Sequence, residues 1–159
     1  MTAGRMVSAG GVIFRIAGGG AEVALISVSP GKRWGLPKGL VEKGEGIART
    51  AYREVREETG LDGKILKMLG RVGYFFQLRE DEGCDTLQGF KRVFKIVYFF
   101  LMEYTGGDVR HHDEEVTDCR WFPINEAIKL MKFDDEKDII RKARKALREL
   151  GYIPKNTRR

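Results

Sequence analysis

Gly39-Leu40-Val41-Glu42-Lys43-Gly44-Glu45 runs on through Gly46 into Ile47–Tyr52 and then Arg53-Glu54-Val55-Arg56-Glu57-Glu58-Thr59-Gly60-Leu61. The second half predicts a helix over roughly Ile47 to Thr59. Ile47, Ala51 and Val55 recur every fourth residue and give it one apolar stripe. Glu54, Glu57 and Glu58 are three and four residues apart, so their side chains are surface neighbours. They lie beside the stripe rather than opposite it, near the surface but against a packed wall. Carboxylates brought together repel and invite a divalent cation. Hard oxygen donors suit Mg²⁺ or Mn²⁺. Arg53, four residues before Glu57, can pair with it and fix its rotamer. Gly60 stands where a left-handed helix cap prefers glycine. The plainer reading is a solvated acidic helix with internal ion pairs.

The fixed spacing decides between them. Glycine, five residues, glutamate, seven residues, then Arg-Glu-aliphatic-X-Glu-Glu-X-Gly-aliphatic resembles the signature of the Nudix hydrolases. Gly39, Glu45, Arg53, Glu54, Glu57, Glu58 and Gly60 all match, with Val55 and Leu61 as the aliphatics. The resemblance implies a box that binds divalent metal and hydrolyses a nucleoside diphosphate linked to another moiety.

The chain's 159 residues make one domain with room for a full core. No run approaches the ~18 apolar residues of a membrane span, and Met1–Arg5 lacks the apolar centre of a signal peptide. Two cysteines, Cys84 and Cys119, do not make a disulfide framework. Free thiols without an export signal point to the cytoplasm. The net charge is +6, yet residues 141–159 alone hold eight basic residues and one acid, Glu149. The excess belongs to the last helix and a tail at about 151–159. It reads as a solvated face with a frayed tail, which argues against nucleic acid as a partner.

Val7–Ile16 and Glu22–Val28 read as a hairpin turning at Gly18-Gly19-Gly20. Ser29-Pro30-Gly31 breaks the pattern, and Arg33–Gly46 is expected to be a loop. Lys64–Phe76 reads as a strand or a bent pair, and Gln77–Gly89 as a polar loop carrying Glu80, Asp81, Glu82 and Asp85. Arg92–Tyr104 is a nearly continuous apolar run, hence a central strand. Val116–Phe122 is a short strand, and a short helix ends near Met131. A last helix covers Asp135–Leu150. Strands interrupted by helices in one chain predict an α/β fold with a mixed β-sheet. That agrees with the α/β/α sandwich of the family it resembles.

Outside the box, Pro37 stiffens a turn and Lys38 brings a cation beside the acids. Arg33 and Lys38 can meet phosphate oxygens; Lys43 reads as a plain surface lysine. Lys95, inside an apolar strand, either snorkels at an edge or points into a cleft. Its buried-strand neighbours favour the cleft. In His111-His112-Asp113-Glu114-Glu115, consecutive residues rarely converge on one ion, so a private zinc site is disfavoured. One of the acids joins the helix carboxylates from a facing loop.

The segments Trp34–Gly39 and Lys95–Leu101, Glu115 six residues before Trp121, and Asn125–Ile128 followed by Phe133 resemble the diadenosine tetraphosphate hydrolase branch of the Nudix family. The resemblance implies that Glu115 helps bind metal, that Lys95 contacts phosphate, and that Phe133 stacks on adenine. The expected metal set is Glu54, Glu57, Glu58, Glu115 and Gly39. The expected catalytic set is the same four glutamates with Arg53. Should Glu115 prove remote, Glu114 or Glu103 takes its place. Lys38, Lys95, Phe133, Tyr74 and Phe76 are the expected substrate contacts. A monomer or homodimer cleaving diadenosine tetraphosphate to ATP and AMP with Mg²⁺ follows. ADP-ribose, oxidised nucleoside triphosphates and inositol pyrophosphates are alternatives, and a non-catalytic nucleotide or RNA-binding module is the alternative class.

Overall fold

The computed structural model of the protein describes residues 4–28, 33–79 and 90–155. The Ser29-Pro30-Gly31 turn, the acidic run Glu80–Asp85 with Cys84, and Arg158 and Arg159 lie outside the described residues.

β1 (Gly4–Ala17) and β2 (Gly20–Ser27) form the expected antiparallel hairpin, with Phe14 opposite Val23. Its tight turn puts Gly18 and Gly19 at φ 62° and 84°, a region that side chains disfavour. The segment expected to be a loop before the helix holds two short strands, β3 (Trp34–Gly35) and β4 (Lys38–Leu40). Strands of two and three residues are too short to show periodicity. β4 pairs with β1 at Ser8–Gly10, and β3 pairs with β2 at Ile26–Ser27. Helix α1 (Ile47–Thr59) has the expected bounds.

β5 (Leu61–Arg79) is one long strand bent by three register shifts, between Asp62 and Gly63, Ile65 and Lys67, and Met68 and Gly70. Such irregularities bend a strand and sharpen its twist, which is why its sequence does not alternate cleanly. β6 (Phe90–Gly107) is an interior strand, antiparallel to β5 on one side and parallel to β1 on the other. β7 (Asp118–Pro123) pairs with the other edge of β2. Helices α2 (Ile124–Leu130) and α3 (Asp134–Glu149) follow. The sheet is therefore mixed.

Two apolar clusters, one on each face of the sheet, make three layers. Val12, Phe14, Val97, Phe99 and Leu101 pack with Ile139, Ile140, Ala143 and Leu147 of α3. Ala9, Ile13, Phe100 and Met102 pack with Ala51 and Val55 of α1. β6 contributes to both, and burial on both faces explains its continuous hydrophobicity. Cys119 is a buried thiol in the α1 layer. The first residues after α3 pack back on the fold. Gly151 turns back at φ 87°, and Tyr152 meets Phe14 edge-on at 5.0 Å. Among the described residues no helix is long and apolar enough to cross a membrane.

Candidate active site

The apolar stripe fixes the roll of α1. Thr50, Ala51, Val55 and Thr59 are buried, so the Glu54 and Glu58 pair, one turn apart, is held along the edge of the packed face. The helix stops at Gly60, whose φ of 77° allows its N–H to donate to Arg56 O at 2.9 Å. Without an αL-capable residue there, α1 would not hand over to β5 one residue later.

Arg53 ties the box together. Its Nε and Nη2 donate to the two Glu45 oxygens at 2.7 and 2.9 Å, a forked pair. Nη1 donates to Glu54 at 2.8 Å and reaches Glu57 at 3.4 Å, while Nη2 also donates to Leu40 O at 3.1 Å. One guanidinium thus joins the incoming loop, the end of β4 and two of the three helix acids. Arg53 holds Glu45 down at about 2. Glu45 also accepts from the Thr50 hydroxyl at 2.6 Å and the Glu42 N–H at 3.1 Å.

β4 closes the other side. The Lys38 N–H donates to Glu58 Oε1 at 2.9 Å. Gly39 faces Glu54 so closely that an added methyl would overlap that carboxyl group. Burial pushes Glu58 up to about 7, against the Lys38 N–H and with help from the charge of Glu54. Glu54 is also raised, first by burial, with Arg53 opposing.

From the loop after β6, Asp113 is the acid that reaches the cluster. Its N–H donates to Glu57 O at 3.0 Å, and its charge helps raise both Glu54 and Glu58. Glu115 is exposed, and its own N–H caps the Asp113 carboxylate at 3.2 Å. Of the two substitutes, Glu114 is exposed and Glu103 accepts from the Tyr152 hydroxyl at 3.1 Å. Only the sequence position of Asp113, inside the acidic run, pointed to it.

A groove runs from Glu58 along the opposite side of β4. A cleft of about 220 Å³ is lined by Trp34, Leu36, Lys38, Glu58, Phe133 and Glu136. A second, of about 380 Å³, shares Lys38, Phe133 and Glu136 and adds Val72 and Tyr74. Phe133 is 63% exposed, with Lys132 Nζ over its ring at 5.5 Å. The Phe76 ring lies 6.2 Å from that of Tyr74, behind it on β5. Lys95 is lowered from its ordinary value by burial and by the charge of Lys38, while Glu136 and Glu58 pull it up. It therefore belongs to the same charged neighbourhood. Glu136, which accepts from Leu36 N at 3.4 Å and faces Lys38 Nζ at 3.8 Å, carried no signal beyond its place in an acidic first turn.

The donor chemistry fits a hard divalent cation. Glu54 and Glu58 are partly buried carboxylates whose charges oppose one another, and Glu57 is exposed beside them. Among the described residues no three acidic, histidine or cysteine side chains already close around a single point. Mg²⁺ does not require that, because it is held by a carboxylate or two plus waters and substrate phosphates.

Residues 4–144 match the model of the NUDIX domain. The chain is 40% identical over 104 residues to the provisionally named mutator protein MutT4 of Mycobacterium tuberculosis, covering 65% of this chain and 38% of that protein. It is 33% identical over 121 residues to the 8-oxo-(d)GTP phosphatase of Mycolicibacterium smegmatis, covering 76% of this chain and 33% of that one. The chain thus spans little more than a third of the length of these curated relatives. The crystal structure of a C. elegans Ap4A hydrolase binary complex superposes with a TM-score of 0.63 at 26% identity, covering 91% of this chain and 98% of that one.

Proposed function

The chain belongs to the NUDIX domain family, and from that premise we propose that it is a metal-dependent pyrophosphohydrolase of nucleoside polyphosphates that cleaves diadenosine tetraphosphate to ATP and AMP. The observation that carries this reading is the groove beside Glu58. It is lined by Lys38 and leads to the exposed face of Phe133. A carboxylate cluster, a cation and an aromatic face in that order suit a phosphate chain capped by a base. The full-length likeness to the Ap4A hydrolase supports the same choice.

Glu54, Glu57, Glu58 and Asp113 or Glu115 would hold Mg²⁺ or Mn²⁺. When bound, the ion neutralises phosphate oxygens and lowers the pKa of the attacking water. Phe133 stacks on one adenine, and Lys38 and Lys95 meet the adjoining phosphate. Arg53 and Glu45 hold the carboxylates in place. The water oxygen bonds to the phosphorus that becomes AMP, the bond from that phosphorus to its bridging oxygen breaks, and ATP leaves. A carboxylate of the cluster that is not committed to the ion takes the water's proton.

A second reading, hydrolysis of an oxidised nucleoside triphosphate, is favoured by the relation to the 8-oxo-(d)GTP phosphatase. A substrate panel with product identification separates the two. The proposal expects the highest kcat/KM for diadenosine tetraphosphate with equimolar ATP and AMP. A higher value for 8-oxo-dGTP overturns the substrate assignment.

A further inference from the structure

On the far side of the carboxylates from the groove, a second cavity of about 590 Å³ opens beside α1. One wall is Arg49, Tyr52 and Arg56 of α1 with His111 of the facing loop; Glu57 and Asp113 stand at the inner end. Arg49, Tyr52 and Arg56 fall at intervals of three and four residues, so they share a face turned away from the buried stripe. All three are exposed. Among the described residues Arg49 has neither a hydrogen bond nor an ion pair, and the Tyr52 hydroxyl has no partner. Arg56 is held only by a solvent-exposed contact to Asp62 at 3.3 Å.

The facing wall is pinned. His111 N–H donates to Asp108 O at 2.9 Å, Asp108 N–H to Gly60 O at 3.2 Å, and Asp113 N–H to Glu57 O at 3.0 Å. A side chain at Gly60 would collide with Asp108 and His111, so the loop sits tight on the end of α1. The opening is therefore built by the fold, and it presents two guanidiniums, an imidazole and a phenol ring, with Arg56 paired at the surface to Asp62.

Arg49 and Arg56 are seven residues apart, roughly 10 Å along the axis at ~1.5 Å per residue. One phosphate cannot meet both ends of that span; a short phosphate chain can. Guanidiniums favour phosphate forks, and a phenol ring offers a stacking face. The inner acids repel a bare anion. The cavity therefore suits a chain whose first phosphates are neutralised at the box and whose remainder runs outward.

We propose that this cavity is a second nucleotide subsite, taking the triphosphate arm that leaves as ATP, with Arg49 and Arg56 on its phosphates and Tyr52 against its base. This rests on the hydrolase reading above, which puts the AMP end on Phe133. It makes Arg49, Tyr52 and Arg56 determinants of substrate length.

Calorimetric titration of ATP and of AMP, each with Ca²⁺, into the wild type, Arg49→Ala/Tyr52→Ala and Phe133→Ala tests it. The double variant should weaken ATP about tenfold, the scale of one lost charge-assisted contact, and leave AMP unchanged. Phe133→Ala should weaken AMP. An ATP affinity unchanged in the double variant, or lost only in Phe133→Ala, overturns the subsite. Unaltered circular dichroism and AMP binding in the double variant exclude misfolding as the cause. Hydrolysis by the wild type is a separate readout: if no polyphosphate is cleaved, the catalytic reading fails, whereas the ATP titration decides the subsite.

Discussion

The Lys38 backbone N–H donates to Glu58 Oε1 at 2.9 Å, so strand β4 and helix α1 meet at a partly buried carboxylate of the box. That single bond opposes burial, and burial wins: Glu58 rises to about 7. In the metal-free protein the folded state then keeps a proton that the unfolded chain gives up near pH 4.5. Its contribution favours folding at low pH and fades as pH climbs from about 4.5 to about 7. Thermal unfolding in EDTA should show Tm falling across that window, with a flatter profile in Glu58→Gln. Superimposable profiles would show that Glu58 titrates normally.

Gly39 lies against the Glu54 carboxyl group. Gly39→Ala should displace Glu54 and lower kcat by roughly 10²-fold or more, the scale of a misplaced catalytic group, with little change in Tm. Full activity in this variant would mean that the close approach is incidental.

The box and its helix were legible because one spacing carries both signals: every fourth residue apolar, and acids on the adjoining face. β6 was legible as an interior strand because burial on both faces leaves a continuous apolar run. β3 and β4 were not, since their few residues are held by pairing to β1 and β2 rather than by any pattern of their own. The choice of loop acid likewise rests on a tertiary contact. Asp113 and Glu115 are two residues apart, and only the hydrogen bond from Asp113 N–H to Glu57 O sets which one approaches α1. Glu136 enters through α3, far away in sequence, and no local spacing announces it.

That loop geometry yields a comparison. Asp113→Asn should weaken Mg²⁺ binding, read by calorimetry, more than Glu115→Gln does. The reverse order would mean that the loop rearranges when the ion binds and brings Glu115 inward.

Arg53 touches Glu45, Glu54 and Leu40 O without facing the groove. Arg53→Lys keeps the charge but loses the fork. It should lower kcat about 10- to 100-fold, the usual cost of a lost supporting contact at a metal site, with KM nearly unchanged. A rise in KM alone would make Arg53 a substrate contact.

Phe133, exposed at the end of the groove, should act on binding. Phe133→Ala should raise KM for diadenosine tetraphosphate by up to about tenfold, in line with one lost aromatic contact, and Phe133→Tyr should restore it. Equal KM values for Ala and Phe would remove the stacking role.

The account centres on water attacking at the carboxylate cluster of α1, on the AMP side of a tetraphosphate. Hydrolysis of diadenosine tetraphosphate in ¹⁸O water with Mg²⁺, followed by mass spectrometry of both products, tests this most directly. The account predicts one label in AMP, none in ATP, no turnover in excess EDTA, and a ~10²–10⁴-fold lower rate in Glu58→Gln. Label in ATP, or a rate indifferent to EDTA and to Glu58→Gln, would contradict it.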